Sequence, residues 1–335
     1  MQIHVDLADS GYDIRIGRGL LQEAGSVLNL NRKVLIVTDS GVPEAYAQTV
    51  AKQCGFSVIE TIPAGEDSKS LSVFERLERV MLEHDFSRKD CVVAVGGGVV
   101  GDLAGFVASC YMRGIDFYNI PTTVLSQVDS SIGGKCAVNF EGVKNVLGAF
   151  YQPQYVLIDH DVLNTLPERQ VSNGMAEAIK MALTFDAGLF EQIEQADSLS
   201  DLYPVIAAAI DLKRVVVEQD EKEQGLRKVL NFGHTLGHGI EAACLHTLLH
   251  GECVALGMIP MCSDEVKERL IRVLTKYDLP VSCDFDAETA MQAIRHDKKG
   301  NGNTVSTVYV DKAGTYELRD MTFDALQGKL AEIKA

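Results

Sequence analysis

The chain has 335 residues, 46% hydrophobic and 23% charged, which are the proportions of an ordinary globular protein long enough for one large domain or two. Lysine and arginine total 31 against 47 aspartates and glutamates, a formal charge of −16 that repels nucleic acid and anionic membrane, so neither is an expected partner. No segment approaches the roughly 20 apolar residues of a membrane span.

Residues 2–16 alternate in polarity and predict a hairpin or two strands. KVLIVTD (33–39) reads as a buried parallel strand ending in Asp39, and Pro43 opens a helix reaching about Cys54. SVIETI (57–62) is the next strand, followed by PAGEDSKS and an amphipathic helix, LSVFERLERVMLEH. CVVAV (91–95) leads through GGGVVGD into a helix of small residues, and DFYNI (116–120) ends at PTT. This strand–helix alternation predicts βαβ units and a parallel sheet, with YVLID (155–159) as its last strand. The stretch 121–150 is polar and glycine-rich and is expected to be a functional loop. From about residue 161 helical patterns dominate, over 170–184, 186–196, 201–219, 227–243, 250–269 and 287–296. The expected organisation is therefore an α/β domain at 1–160 and a mainly helical domain at 161–335. TVSTVYVDKAGTYEL (304–318) reads as a hairpin, and a last helix starts near 323.

MQIHVDLADS lacks the basic start and apolar run of a signal peptide. The eight cysteines are scattered, without CxxC, mostly in apolar runs, as expected of reduced thiols in a cytoplasmic protein. Cys136, beside two glycines and a lysine, is the one thiol singled out as a candidate for reactivity, with packing as its other role.

Five motifs carry chemistry. Gly96, Gly98 and Gly101 satisfy GxGxxG between a strand and a helix, where backbone amides face a pyrophosphate; the same glycines also suit a tight packing turn. The strand that follows lacks the usual ribose-binding acid, a task Asp39 can take. Glu66 and Lys69 follow another strand at the edge where open sheets bind ligands. Thr122, Thr123, Asp129, Lys135, Lys144 and Asn145 are interleaved with glycines, and Lys135 after Gly133-Gly134 suits phosphate without forming a Walker A loop. The densest stretch is 226–253, with His234, His238, His246 and His250 in two i, i+4 pairs amid glycines. Imidazoles so placed suit a zinc-like ion, although HTLGH lacks the glutamate of HExxH. Glu177, within the apolar GMAEAIKMAL run and beside Lys180, is the expected third ligand, because a buried carboxylate needs a cation. Asn173 reads as the cap of that helix.

Taken in order, GGGVVGD, PTTVLSQVDSSIGGK, NVLGAFYQP, GMAEAIK, LNFGHTLGHGIE and HGE closely resemble the 3-dehydroquinate synthase family of sugar phosphate cyclases, from about residue 12 to 300. The resemblance implies a Rossmann-like NAD-binding domain, a helical metal- and substrate-binding domain, and an active site in the cleft between them. It implies Zn²⁺ or Co²⁺ on Glu177, His234 and His250, with His246 structural. NAD contacts are implied at Asp39, Glu66, Lys69, Gly97, Gly98, Asp102, Thr122, Thr123, Leu125, Lys144 and Thr165. Phosphate contacts are implied at Lys135, Asn145, Asn231 and His238, with Arg113 arriving from the second subunit of a homodimer. Lys213, Arg227 and Lys298 would grip a carboxylate, and Asp129 and Lys180 the substrate hydroxyls. Cys136 and Phe232 stand where many relatives have threonine and leucine, and neither removes a functional group. The rival readings are a related cyclase such as 2-deoxy-scyllo-inosose synthase or a sedoheptulose 7-phosphate cyclase, a metal-dependent polyol dehydrogenase, and a non-catalytic NAD- or metal-sensing module.

Overall fold

A computed structural model describes residues 1–244, 247–297 and 304–335. The chain divides into two compact units, Met1–Pro167 and Glu168–Ala335. The sequence-based boundary at 160/161 falls at the head of the short helical segment His160–Thr165 that closes the first unit. No helix among the described residues is long and apolar enough to cross a membrane.

The first unit is built on strands β1 (Gln2–Val5), β2 (Tyr12–Gly17), β3 (Lys33–Asp39), β4 (Phe56–Ile62), β5 (Cys91–Gly96), β6 (Asp116–Pro121), β7 (Lys135–Phe140), β8 (Val143–Phe150) and β9 (Tyr155–Asp159). Its helices are α1 (Ala24–Val27), α2 (Glu44–Ala51), α3 (Leu71–Glu83) and α4 (Gly98–Cys110). Seven strands form one sheet in the order β1-β2-β9-β6-β5-β3-β4, parallel throughout except for the β1–β2 pair. Continuous apolar runs explain β3 and β5: both faces are covered, so every residue of β5 and Val34 to Thr38 of β3 are buried. Leu35, Val37, Val92 and Ala94 share a core with Leu77 and Met81 of α3 and Val100, Leu103 and Val107 of α4. A fully buried side chain of this size contributes about 1.5–3 kcal/mol. Ser70 caps α3 by accepting the amide of Val73.

The chain runs from β3 outward to β4 and then returns to lay β5 on the other side of β3. That reversal opens a crevice beyond the carboxyl ends of β3 and β5, where open α/β sheets place their ligands. The expected loop at 121–150 is instead a wide helical turn, Ser126–Ser130, followed by the antiparallel pair β7–β8. Glu141 and Gly142 make its tight turn with φ of 50° and 76°. The pair escaped notice because β8 is largely solvent-facing and so lacks the alternation that marks a half-buried strand.

The second unit holds α5 (Glu168–Phe185), α6 (Ala187–Gln195), α7 (Leu199–Gln219), α8 (His234–Ala243), α9 (His250–Met258), α10 (Asp264–Lys276), α11 (Ala287–Asp297) and α12 (Phe323–Ala331). The hairpin of β10 (Thr304–Tyr309) and β11 (Glu317–Thr322) matches the expected one in place. Three helix expectations are corrected. The pattern at 227–243 is two pieces, a short turn Leu226–Asn231 and α8, because Gly233 between them adopts φ 77°, outside the right-handed helical region. A Cβ there would lie 2.6 Å from Met258 Cγ. The pattern at 250–269 breaks at Ile259–Met261 around Pro260. Asn173 does not cap α5, which begins at Glu168; it is buried within that helix, and its Oδ1 accepts the amide of Gly251 at 2.7 Å.

Candidate active site

Most of the residues assigned to the cofactor lie at the carboxyl edge of the sheet. Asp39 ends β3, Gly96 ends β5, and the register pairing Val37 with Ala94 makes these strands neighbours. Gly97 and Gly98 open α4, and no side chain caps its first turn, so its amides are available to an anion. Side chains would crowd this approach: a Cβ on Gly98 would stand 3.1 Å from Ser130 Oγ, and one on Gly96 2.6 Å from Val100. The close packing at Gly96 and Gly98 keeps side chains out of this turn, and its uncapped amides suit an anion such as a pyrophosphate. Thr122 and Thr123 follow β6, with the Thr122 amide donating to Gly96 O at 2.9 Å and Thr123 Oγ1 2.8 Å from Ser126 Oγ. Leu125 leads into the Ser126–Ser130 turn.

Beside the glycine turn, Lys69 is buried and its Nζ donates to Asp102 Oδ2 at 2.7 Å, stands 3.6 Å from Glu66 Oε1, and also meets Asn145 Oδ1. Burial pulls the Lys69 ammonium down, but Asp102 and Glu66 outweigh it and raise it. Burial lifts the Asp102 carboxyl to about 6 against the pull of Lys69. Asn139 Nδ2 donates to Glu66 Oε1 at 3.0 Å and so ties β7 to this set. Asn145, which the resemblance assigns to phosphate, thus sits with the cofactor residues. Lys144 and Lys135 are exposed on the same hairpin, and Asp129 is half-buried in the wide turn. Thr165 Oγ1 pairs with the Tyr46 hydroxyl at 2.8 Å. Arg113 is exposed, with φ of 72°, in the turn after α4. Cys136 is buried, and desolvation pushes its thiol far above the usual range, so it is a packing residue.

In the second unit the structure brings Glu177, His234 and His250 together, each offering a ligand atom within 4.8 Å of the others. Glu177 comes from α5, His234 starts α8 and His250 starts α9. Nε2 of each imidazole lies 3.5 Å from Glu177 Oε1. Glu177 is fully buried; Lys180 Nζ makes an ion pair with Oε2, yet neither carboxylate oxygen accepts a well-formed hydrogen bond. Burial opposes ionisation of Glu177, but Lys180, His234 and His250 overcome it and hold the carboxyl well below its ordinary value. His234 is pushed well below its usual value by burial and by Lys180, which keeps it neutral. Burial also lowers His250, but the adjacent carboxylates of Glu177 and Glu241 prevail and lift it to about 10. Two imidazoles and a carboxylate with unfilled lone pairs are a fitting donor set for a zinc-like ion with an open position.

In the same unit, Lys180, Lys213 and Arg227 are buried, His238 is exposed and Asn231 half-buried. His238 shares a face of α8 with His234, their rings 5.4 Å apart. Lys298 and His246 lie outside the described residues. Several contributors are not legible in the sequence. Asp220 shapes the loop that delivers Arg227, accepting the amides of Gln224, Gly225 and Arg227 at 2.7–3.0 Å. Glu223, at φ 58°, accepts from Asn231 Nδ2 at 2.8 Å. Arg169 forks onto Glu252 at 2.7 and 2.8 Å, joining the start of α5 to that of α9. The one available signal was an acid on each of these polar turns.

The chain matches the family models for the 3-dehydroquinate synthase N-terminal region over residues 59–173 and C-terminal region over 174–300. It is 41% identical to the 3-dehydroquinate synthase of Methylacidiphilum infernorum, covering 100% of this chain and 99% of that one. Identity to the Desulforamulus reducens 3-dehydroquinate synthase is 44% over 89% and 90% of the two chains. Among solved structures it resembles a 2-deoxy-scyllo-inosose synthase complexed with carbaglucose-6-phosphate, NAD⁺ and Co²⁺, with TM-score 0.89 and 26% identity over 99% of both chains. A 2-epi-5-epi-valiolone synthase from Streptomyces hygroscopicus with NAD⁺ and Zn²⁺ superposes with TM-score 0.88 at 27% identity, covering 98% of each. A probable glycerol dehydrogenase from Sinorhizobium meliloti, at 16% identity and TM-score 0.62, shares the fold alone. With both halves of its length matched and full-length relatives above 40% identity, this chain belongs to the 3-dehydroquinate synthase family.

Proposed function

We propose that this chain converts 3-deoxy-D-arabino-heptulosonate 7-phosphate to 3-dehydroquinate and inorganic phosphate, a lyase reaction of the shikimate route to aromatic amino acids. The observation that carries this reading is the company Glu177 keeps: an acidic protein has buried Lys180, Lys213 and Arg227 in the unit that holds two imidazoles and a carboxylate. Cationic side chains held in a water-poor setting favour anionic ligands, and a substrate bearing a carboxylate and a phosphate is such a ligand.

When bound, NAD⁺ would accept and return one hydride, and Zn²⁺ or Co²⁺ would polarise the carbon–oxygen bond undergoing oxidation. Asp39, the Gly97–Gly98 amides and the Lys69 set would hold the first group; Glu177, His234 and His250 would hold the second. Lys213 and Arg227 grip the substrate carboxylate, Arg227 through a guanidinium fork suited to it. Lys180 and Asp129 orient hydroxyls, and Lys135, Asn145, Asn231 and His238 receive the phosphate and the charge it carries away. Since the hydride is returned, no net oxidation results. The protein acts as a homodimer in this reading, with Arg113 completing the partner's phosphate site.

The substrate class separates this reading from its cyclase rival, whose structural representative carries a hexose-phosphate analogue without a carboxylate. Purified protein with NAD⁺ and Zn²⁺ is offered the heptulosonate phosphate and, separately, glucose 6-phosphate. Phosphate release from the first alone, without NADH accumulating, is the expected outcome. Release from glucose 6-phosphate alone would move the chain to the rival cyclases, and NADH build-up would make it a dehydrogenase.

A further inference from the structure

The two imidazoles that face Glu177 are not equivalent. Each presents Nε2 to the carboxylate and turns Nδ1 toward an acceptor. For His234 that acceptor is the backbone oxygen of Phe232, at 3.1 Å. For His250 it is the Glu241 carboxylate, at 3.3 Å. Glu241 lies seven residues after His234, two turns along α8, so His234, His238 and Glu241 present one face to His250. The ring centroids of His234 and His238 lie 5.3 Å and 6.0 Å from that of His250.

A neutral imidazole donates a lone pair to an ion from one nitrogen only when its proton sits on the other. A carboxylate that accepts the Nδ1 proton fixes that tautomer, orients the ring and makes Nε2 a stronger donor than a carbonyl partner can. We propose that Glu241 is a positioning residue for the metal centre, holding His250 as the Nδ1–H tautomer with Nε2 directed at the ion. This rests on the reading of Glu177, His234 and His250 as ion ligands. Glu241 does not touch the ion; it makes His250 the stronger of two otherwise like donors. The difference is built from one short-range placement, a glutamate two turns beyond the first ligand on the same helix.

The test uses the full chain stripped of metal and titrated with Zn²⁺ against a chromophoric chelator, with the Co²⁺-loaded absorption spectrum as a second readout. Glu241→Ala is expected to weaken Zn²⁺ binding about 10–100-fold, the usual cost of losing such a partner. Glu241→Gln keeps an oxygen that accepts the Nδ1 proton and is expected to recover part of that loss, which a merely structural role would not predict. Should the alanine variant fail to fold, the near-isosteric glutamine variant still reports, with Zn²⁺ binding weaker than wild type and a shifted Co²⁺ spectrum. Zn²⁺ affinity within twofold of wild type in the folded variants overturns the proposal while leaving the ligand trio intact. A wild-type protein that takes up two ions, one of them lost with Glu241, also overturns it, since Glu241 would then be a ligand itself. A wild-type protein with no Zn²⁺ affinity removes the ligand reading and this inference with it.

Discussion

The two units prepare for their ligands in opposite ways. At the sheet edge the buried cation already has protein partners: Lys69 is shared among Glu66, Asp102 and Asn145, beside uncapped amides and close-packed glycines. In the helical unit, buried Glu177 is ion-paired with Lys180 yet accepts no well-formed hydrogen bond, and Lys213 and Arg227 are buried in the same unit. In the proposed reading, buried Lys213 and Arg227 give the second unit its preference for an anionic molecule.

The contrast breaks most visibly at Glu177. Glu177→Ala or His250→Ala should abolish turnover and zinc retention together, read by metal analysis of the purified variant. Glu177→Ala should also cost about 3–5 kcal/mol of stability, because buried Lys180 loses its partner. Zinc content equal to wild type in either variant would remove them as ligands. A smaller effect belongs to the sheet edge: Gly98→Ala places a methyl 3.1 Å from Ser130 Oγ and should weaken NAD⁺ about tenfold, near 1.4 kcal/mol, with zinc content unchanged. Calorimetric titration decides it, and loss of zinc in this variant would show that the two sites are not separable. The smallest effect lies away from both. Burial lifts Glu78 on α3 to about 7 from an ordinary 4.5. Because the folded pKa is the raised one, this group's contribution is intact below about pH 4.5 and is lost as pH rises through 7. Glu78→Gln should therefore gain roughly 1–3 kcal/mol in urea unfolding at pH 8 and almost nothing at pH 4.5. Equal gains at both pH values would exclude ionisation as the cause.

The sequence discloses parts of this molecule unevenly, for physical reasons. β3 and β5 are visible because strands buried on both faces leave continuous apolar runs that end where the ligand edge begins, at Asp39 and Gly96. The histidines stand out because four fall within one short stretch. The β7–β8 pair is hidden because its turn, Glu141-Gly142, is not among the usual hairpin dipeptides and its outer strand faces water. The helix breaks at Gly233 and Pro260 depend on how α8 and α9 meet, which no local pattern encodes. Glu241, Asp220 and Asn173 look like surface or capping residues until the fold brings their partners to them.

The helices that carry the ligand trio meet backbone to backbone. A Cβ on Gly251 would lie 1.9 Å from Asn173 O, and one on Gly257 2.0 Å from Gly233 O, so the backbones of α5, α8 and α9 are in contact with no side chain between them. Calcium takes six to eight oxygen ligands and magnesium keeps a water-rich oxygen shell. Two imidazole nitrogens and one carboxylate, brought together where these helix backbones meet, suit instead an ion that accepts nitrogen.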